Sequence, residues 1–124
     1  MNVFLWVLGG VLAAVFLSSG ALKLVRSKSQ LAGAGQGWVE PFPAGTIRLI
    51  GALEVLAAIG LILPPALDIA PVLAPVAAVG LVLVMVGAVV THARRREIPN
   101  AAVNIVLAVL AAVVAWGRFG PYSF

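Results

Sequence analysis

The sequence contains no cysteine, which excludes disulfides, thiolate nucleophiles, iron–sulfur ligation and cysteine-bound zinc. A single histidine cannot by itself build a histidine-rich haem or zinc site. No glycine-rich phosphate loop precedes a helix, and Asp68 falls on the far side of the chain's topology from His92, which removes a Ser/His/Asp triad. Charge is scarce as well, at 10% of 124 residues, so there is little polar surface with which to cover a water-soluble domain. What fills the chain instead is apolar: 63% hydrophobic residues and a mean hydropathy of +1.16. The solvent these numbers call for is lipid.

Four apolar runs stand out, at about 3–24, 44–63, 71–91 and 101–117. Each approaches the roughly 20 residues that cross a hydrocarbon core of about 30 Å, and together they use most of the chain. The expectation is one all-α integral membrane domain over 1–124, a bundle of four transmembrane helices with no extramembrane domain. Proline supports helices, because all eight fall outside the runs or in a first turn: Pro64 and Pro65 end the second run, and Pro99 precedes the fourth. Asp68 is a candidate cap for the third spanning helix. The first run lacks the charged leader of a signal peptide and carries its positive residues after it, so it reads as a retained helix.

Charge sets the orientation. Lys23, Arg26, Lys28 and Arg48 flank the first connection and Arg94, Arg95 and Arg96 the third, while Arg118 alone falls on the other side. Positive-inside asymmetry puts both basic connections in the cytoplasm and both termini outside it. The same clustering explains a pI near 10.8 without nucleic acid. The long first connection, 27–43, mixes Leu31, Trp38 and Phe42 with glycines and reads as a segment in the membrane interface, anchored by its aromatic residues.

Glu54 is the anomaly. It lies about ten residues into the second run, ~15 Å deep and near the bilayer midplane, too short to reach water. A central acidic residue costs about 2.5–3.5 kcal/mol to insert, so it must face the bundle interior and be protonated, paired or hydrogen-bonded. It shares a helix face with Ile47, Gly51, Ala57, Ala58 and Leu61, whose small members allow close approach of a neighbour. Arg48 is some 120° away around the same helix, so the partner of Glu54 must come from another one. Phe16, Gly20 and Lys23 share a face on the first run with Ser19 beside them; Asn100, Asn104, Ala108, Ala111 and Ala115 form a stripe on the fourth; and His92 follows Met85 and Ala88 on the third. These polar ends fall on one side of the membrane. They define a candidate polar pocket of Ser19, Lys23, Arg48, Glu54, His92 and Asn104, opening toward the cytoplasm with Glu54 deepest.

Each member also has a purely structural reading. Glu54 is a functional group or a buried hydrogen-bonding one; Lys23 and Arg48 are pocket residues or interface anchors; His92 is a proton relay or an interfacial imidazole. Asn104 lines the pocket or bonds across helices, and Ser19 bonds back to its own helix.

The stretches S-S-G-A-L-K-L at 18–24, R-L-I-G-A-L-E-V-L-A-A-I-G-L-I-L-P at 48–64, A-P-V-A-A-V-G-L-V-L-V-M-V-G-A-V-V-T-H at 74–92 and R-R-R-E at 94–97 together resemble the DoxX-like family. The most specific part is R-x-x-G-x-x-E at 48–54, with G-x-x-K at 20–23. The resemblance implies a four-helix protein of the bacterial cytoplasmic membrane. The family is named for a subunit associated with quinol oxidase or thiosulfate:quinone oxidoreductase, and members are linked to oxidative-stress complexes and, in animals, receptor assembly. Three functions are compatible with the residues. The first is a non-catalytic subunit or assembly factor of a larger redox or transport complex, or a homo-oligomer. The second is a binder of a quinone or lipid around Glu54, with no intrinsic cofactor. The third is a proton-coupled transporter using Glu54 and His92.

Overall fold

The computed structural model describes residues 2–33 and 42–120, with the side chains of 28 and 32 left aside; Trp38, expected at the interface, lies outside the described residues. The chain forms α1 (Asn2–Val25), the short α2 (Lys28–Gly33), α3 (Ala44–Leu67), α4 (Leu73–Arg94) and α5 (Ile98–Phe119). The four long helices are each long and apolar enough to cross a membrane. The protein is thus an all-helical, four-span membrane bundle.

Lipid as solvent explains which side chains point where. On α1 the ridge Val3, Val7, Val11 and Val15 faces outward, with Val3 74% exposed, while Leu5, Leu8, Leu12 and Phe16 are buried on the opposite side. An apolar exterior of this extent belongs against acyl chains rather than water. Packing inside the bundle therefore comes from close fit of small and apolar residues, with no hydrophobic drive between helices. The core joins all four spans through Leu12 and Phe16 of α1, Ala58 and Leu61 of α3, Ala78, Leu81 and Met85 of α4, and Ala111 and Val114 of α5.

Neighbouring spans run antiparallel in a closed ring: α1 beside α3, α3 beside α4, α4 beside α5, and α5 back against α1. The α1–α3 and α4–α5 pairs pack most extensively, so the bundle is two tight hairpins meeting along the α3–α4 and α1–α5 seams. One end carries the basic connections. The opposite, terminal end carries Asn2, Phe119 and the α3–α4 turn. At the basic end α2 lays Leu31 against Ile47 at the start of α3, with Phe42 beside them.

The helix bounds differ from the sequence expectation in three places. Helix α3 does not end at Pro64 and Pro65 but carries both in its last turn, to Leu67. Proline's φ is helical, and the two missing donors forgo only bonds to the Gly60 and Leu61 carbonyls just before the helix stops. Asp68, expected to cap the following helix, is instead the C-cap of α3. It adopts the left-handed conformation (φ 54°), which Asp tolerates, and its N–H donates to the Pro65 carbonyl at 3.3 Å. Helix α5 begins at Ile98, so Pro99 lies in its first turn, where no amide donor is needed.

The tightest point is the α1–α3 crossing. A Cβ at Gly20 would stand 2.6 Å from the Gly51 carbonyl oxygen, and one at Gly51 would stand 2.7 Å from the Lys23 Cβ and 2.9 Å from the Gly20 carbonyl oxygen. Both obstructions include backbone, which cannot rotate away. Gly20→Val or Gly51→Val is expected to lower stability by about 1–3 kcal/mol or more in a detergent unfolding titration. Gly10→Ala, whose Cβ meets nothing within 4 Å, should leave it unchanged; equal effects at all three positions would contradict the crossing.

Candidate functional site

Three residues beyond each crossing glycine stands a charge. Lys23 of α1 and Glu54 of α3 form an ion pair, Lys23 Nζ to Glu54 Oε1 at 2.8 Å. Nζ also donates to Ser19 Oγ, one helical turn back, at 2.6 Å. Glu54 is only 2% exposed and Lys23 9%. Had the helices been spaced by ordinary side chains, a lysine would have reached the carboxylate less directly; the paired glycines bring the two backbones into contact and set the charges face to face.

Glu54 is near the middle of α3 but level with the final turns of α1, since Gly51 abuts Lys23 and α1 ends at Val25. The first turns of α3 therefore project past α1, where α2 covers them.

Above the pair is a cavity of about 320 Å³ bordered by all four spans. Phe16, Ile50, Val84, Met85 and Leu107 supply apolar walls, and Ser19, Lys23, Glu54 and Asn104 supply the polar groups. Thr91 also lines it, with its hydroxyl donating to the Gly87 carbonyl at 2.9 Å. Asn104 differs: its carboxamide, two donors and an acceptor, makes no hydrogen bond to any described residue. The residue is half-buried, and its amide stands on the wall of the space it borders.

The arrangement coincides with a recognised family. The model of the DoxX-like family matches residues 7–114. The chain belongs to the DoxX-like family. No curated protein and no solved structure matches it significantly. The matched span covers Gly20, Lys23, Gly51, Glu54, His92 and Asn104, so in this DoxX-like protein the crossing, the ion pair and the cavity all lie within the family's shared region.

Two residues expected in the pocket stand elsewhere in this DoxX-like bundle. Arg48 is exposed and borders a separate space of about 120 Å³ at the basic end, with Arg26, Ser27 and Lys23. Its helical phase, 120° from Glu54, turns it away. His92 is tied to the α4–α5 turn: its Nδ1 lies 2.9 Å from Glu97 Oε1, which also accepts from Arg95 Nε at 3.2 Å. The hydrogen bond to His92, aided by the Arg95 charge against partial desolvation, holds the Glu97 carboxyl below its ordinary 4.5.

Sequence reasoning took Arg118 only as the lone charge at the terminal end, yet it is 4% exposed. Nη1 donates to Asn2 Oδ1 at 2.6 Å, Nη2 reaches the Asn2 carbonyl oxygen at 3.4 Å, and the guanidinium lies 5.7 Å from the centre of the Trp6 ring. The signal was available in the adjacent Gly117, which admits Leu5 of α1, and in Asn2 and Trp6 one turn apart on α1.

Removing one partner of a buried pair leaves the other charge stranded, so Glu54→Gln is expected to cost about 3–5 kcal/mol. The double variant Lys23→Met/Glu54→Gln should recover part of that loss in the same unfolding titration. Additive costs, with the double variant worse than either single, would show that the two side chains are not coupled.

Proposed function

We propose that this DoxX-like protein binds a small amphipathic molecule in the cavity, its polar head meeting Glu54 and Asn104. The observation that carries the reading is the lining: apolar walls from four helices around a few convergent polar groups, one of them, Asn104, without a partner among the described residues. Ligand sites have this composition, and about 320 Å³ is within the range they occupy. The ion pair is chemically quiet at rest, with Glu54 Oε1 engaged by Lys23. The second carboxylate oxygen makes no bond to a described residue and is the acceptor a bound hydroxyl would meet.

The described cavity residues are arranged to hold a polar head, with the Ser19 hydroxyl engaged by the Lys23 ammonium at 2.6 Å. Proton-coupled transport through Glu54 and His92 loses its supporting geometry, because His92 is engaged with Glu97 outside the cavity. Docking to a larger complex rests on the chain's size, its missing catalytic chemistry and its small-residue helix faces, and the cavity favours the binding reading over it. We place the protein in a bacterial cytoplasmic membrane, with the basic end and the nearer mouth of the cavity on the cytoplasmic side, on the positive-inside asymmetry. Quinones and lipids are the amphipathic molecules such a membrane offers.

Asn104→Leu is close in size and removes the carboxamide without stranding a charge. Mass spectrometry of organic extracts from purified wild-type protein should show one molecule enriched over the surrounding membrane, and Asn104→Leu should lower that enrichment by about tenfold. Identical extracts from the two proteins would remove the proposal.

A further inference from the structure

The cavity does not stand alone. A second space of about 450 Å³ runs along the α3–α4 seam toward the terminal end, walled by Leu56, Gly60, Leu73, Ala77 and Gly80, and its lining is apolar throughout. Leu83 and Val84 of α4 border both spaces, so the two adjoin along that helix. The seam is open because α4 presents small residues to it. A Cβ at Gly80 would meet nothing within 4 Å, and neither would one at Gly87, one heptad further along on the cavity wall. A Cβ added at Gly60 across the seam would stand 3.2 Å from the Ala77 Cβ, so the groove narrows there without closing.

We infer that the ligand is an uncharged amphiphile with a single hydrocarbon chain, its oxygen-bearing head in the cavity and its chain leaving sideways between α3 and α4. This rests on the ligand-binding reading above and adds the class of molecule. The case for an uncharged head is electrostatic. Among the described residues the charged groups lining the cavity are Lys23 and Glu54, paired with each other so that their charges cancel. An anionic head would add a second negative charge beside Glu54 in apolar surroundings and compete for the Lys23 ammonium that pairs with it. A carbonyl or hydroxyl head satisfies Asn104 and Glu54 with no such cost.

The case for a single chain is geometric. From Leu73 to Val84 helix α4 advances about 16 Å, roughly half the hydrocarbon core, and the groove is one channel between two helices. It opens to lipid along its length, since Leu56 is 65% and Leu83 68% exposed. A chain can therefore slide in from the bilayer without unpacking the bundle. Monoacylglycerols and isoprenoid quinones share this chemistry.

The test uses a monoacylglycerol carrying a diazirine near the end of its chain, with wild-type protein in lipid nanodiscs and labelled residues located by mass spectrometry. Label is expected on the groove residues around Ala77 and Gly80. Gly80→Leu, which fills open space, should cut that label by about tenfold, whereas Gly10→Leu, which adds the same side chain away from the seam, should not. Unlabelled monoacylglycerol or an isoprenoid quinone should compete at least about tenfold better than a fatty acid or phosphatidylglycerol, and the stronger of the first two names the source. The inference is overturned by labelling that Gly80→Leu leaves unchanged, by label on the outward-facing Val3, Val7 and Val11 of α1 equal to that in the groove, or by equal competition from the charged lipids. The extract measurement separates the two failures. If Gly80→Leu does not alter labelling but Asn104→Leu still empties the extract, only the chain route falls; if neither variant changes anything, the binding reading falls with it.

Discussion

A carboxylate and an ammonium held 2.8 Å apart among apolar helices tolerate little slack, because each is stable there only while the other is in place. The pair is made by backbone rather than by side-chain reach. Gly20 and Gly51 let α1 and α3 approach until a methyl group would not fit between them, and Lys23 and Glu54 follow three residues later on each helix. Since α1 and α3 are joined through the long 26–43 connection, nothing local in the chain forces this registry. The crossing and the ion pair set it together, and Ser19 gives the lysine a second contact.

Fixing α1 against α3 leaves the rest of the bundle to close around them. Helices α4 and α5 form the second tight pair, linked by the short turn in which Glu97 gathers His92 and Arg95. The terminal end is fastened separately, by Arg118 of α5 on Asn2 of α1. Each hairpin is secured near the basic end, and the Arg118–Asn2 contact joins the two at the terminal end. The unfilled space collects where α4 offers glycine instead of side chains: inside, over the ion pair, and outside, along α3. Function is proposed to reside in that unfilled space, with the ion pair as its floor.

Much of this could be read from the sequence. Four apolar runs, proline placement and the resemblance carried by R-x-x-G-x-x-E led to the spans and the family, and the membrane cost of Glu54 alone required a partner from another helix. The small-residue face shared by Gly51 and Glu54 marked where that helix would be. Other features depended on geometry that sequence does not carry. Whether Lys23 turned inward depended on where along its length α1 meets α3. His92 belonged to a turn because Glu97 lies five residues on, a pairing outside helical periodicity. The α3–α4 groove had no signature at all, since an empty space next to Gly80 is a property of its neighbours.

The central claim is that the cavity over Lys23 and Glu54 holds the head of an amphipathic molecule. The most direct measurement is an experimental density map of the protein purified without added ligand, at a resolution that shows ordered water. The account predicts elongated density whose polar end lies within hydrogen-bonding distance of Asn104 and Glu54. A cavity closed by repacked side chains, or one filled only by separate waters bonded to Asn104, would contradict it.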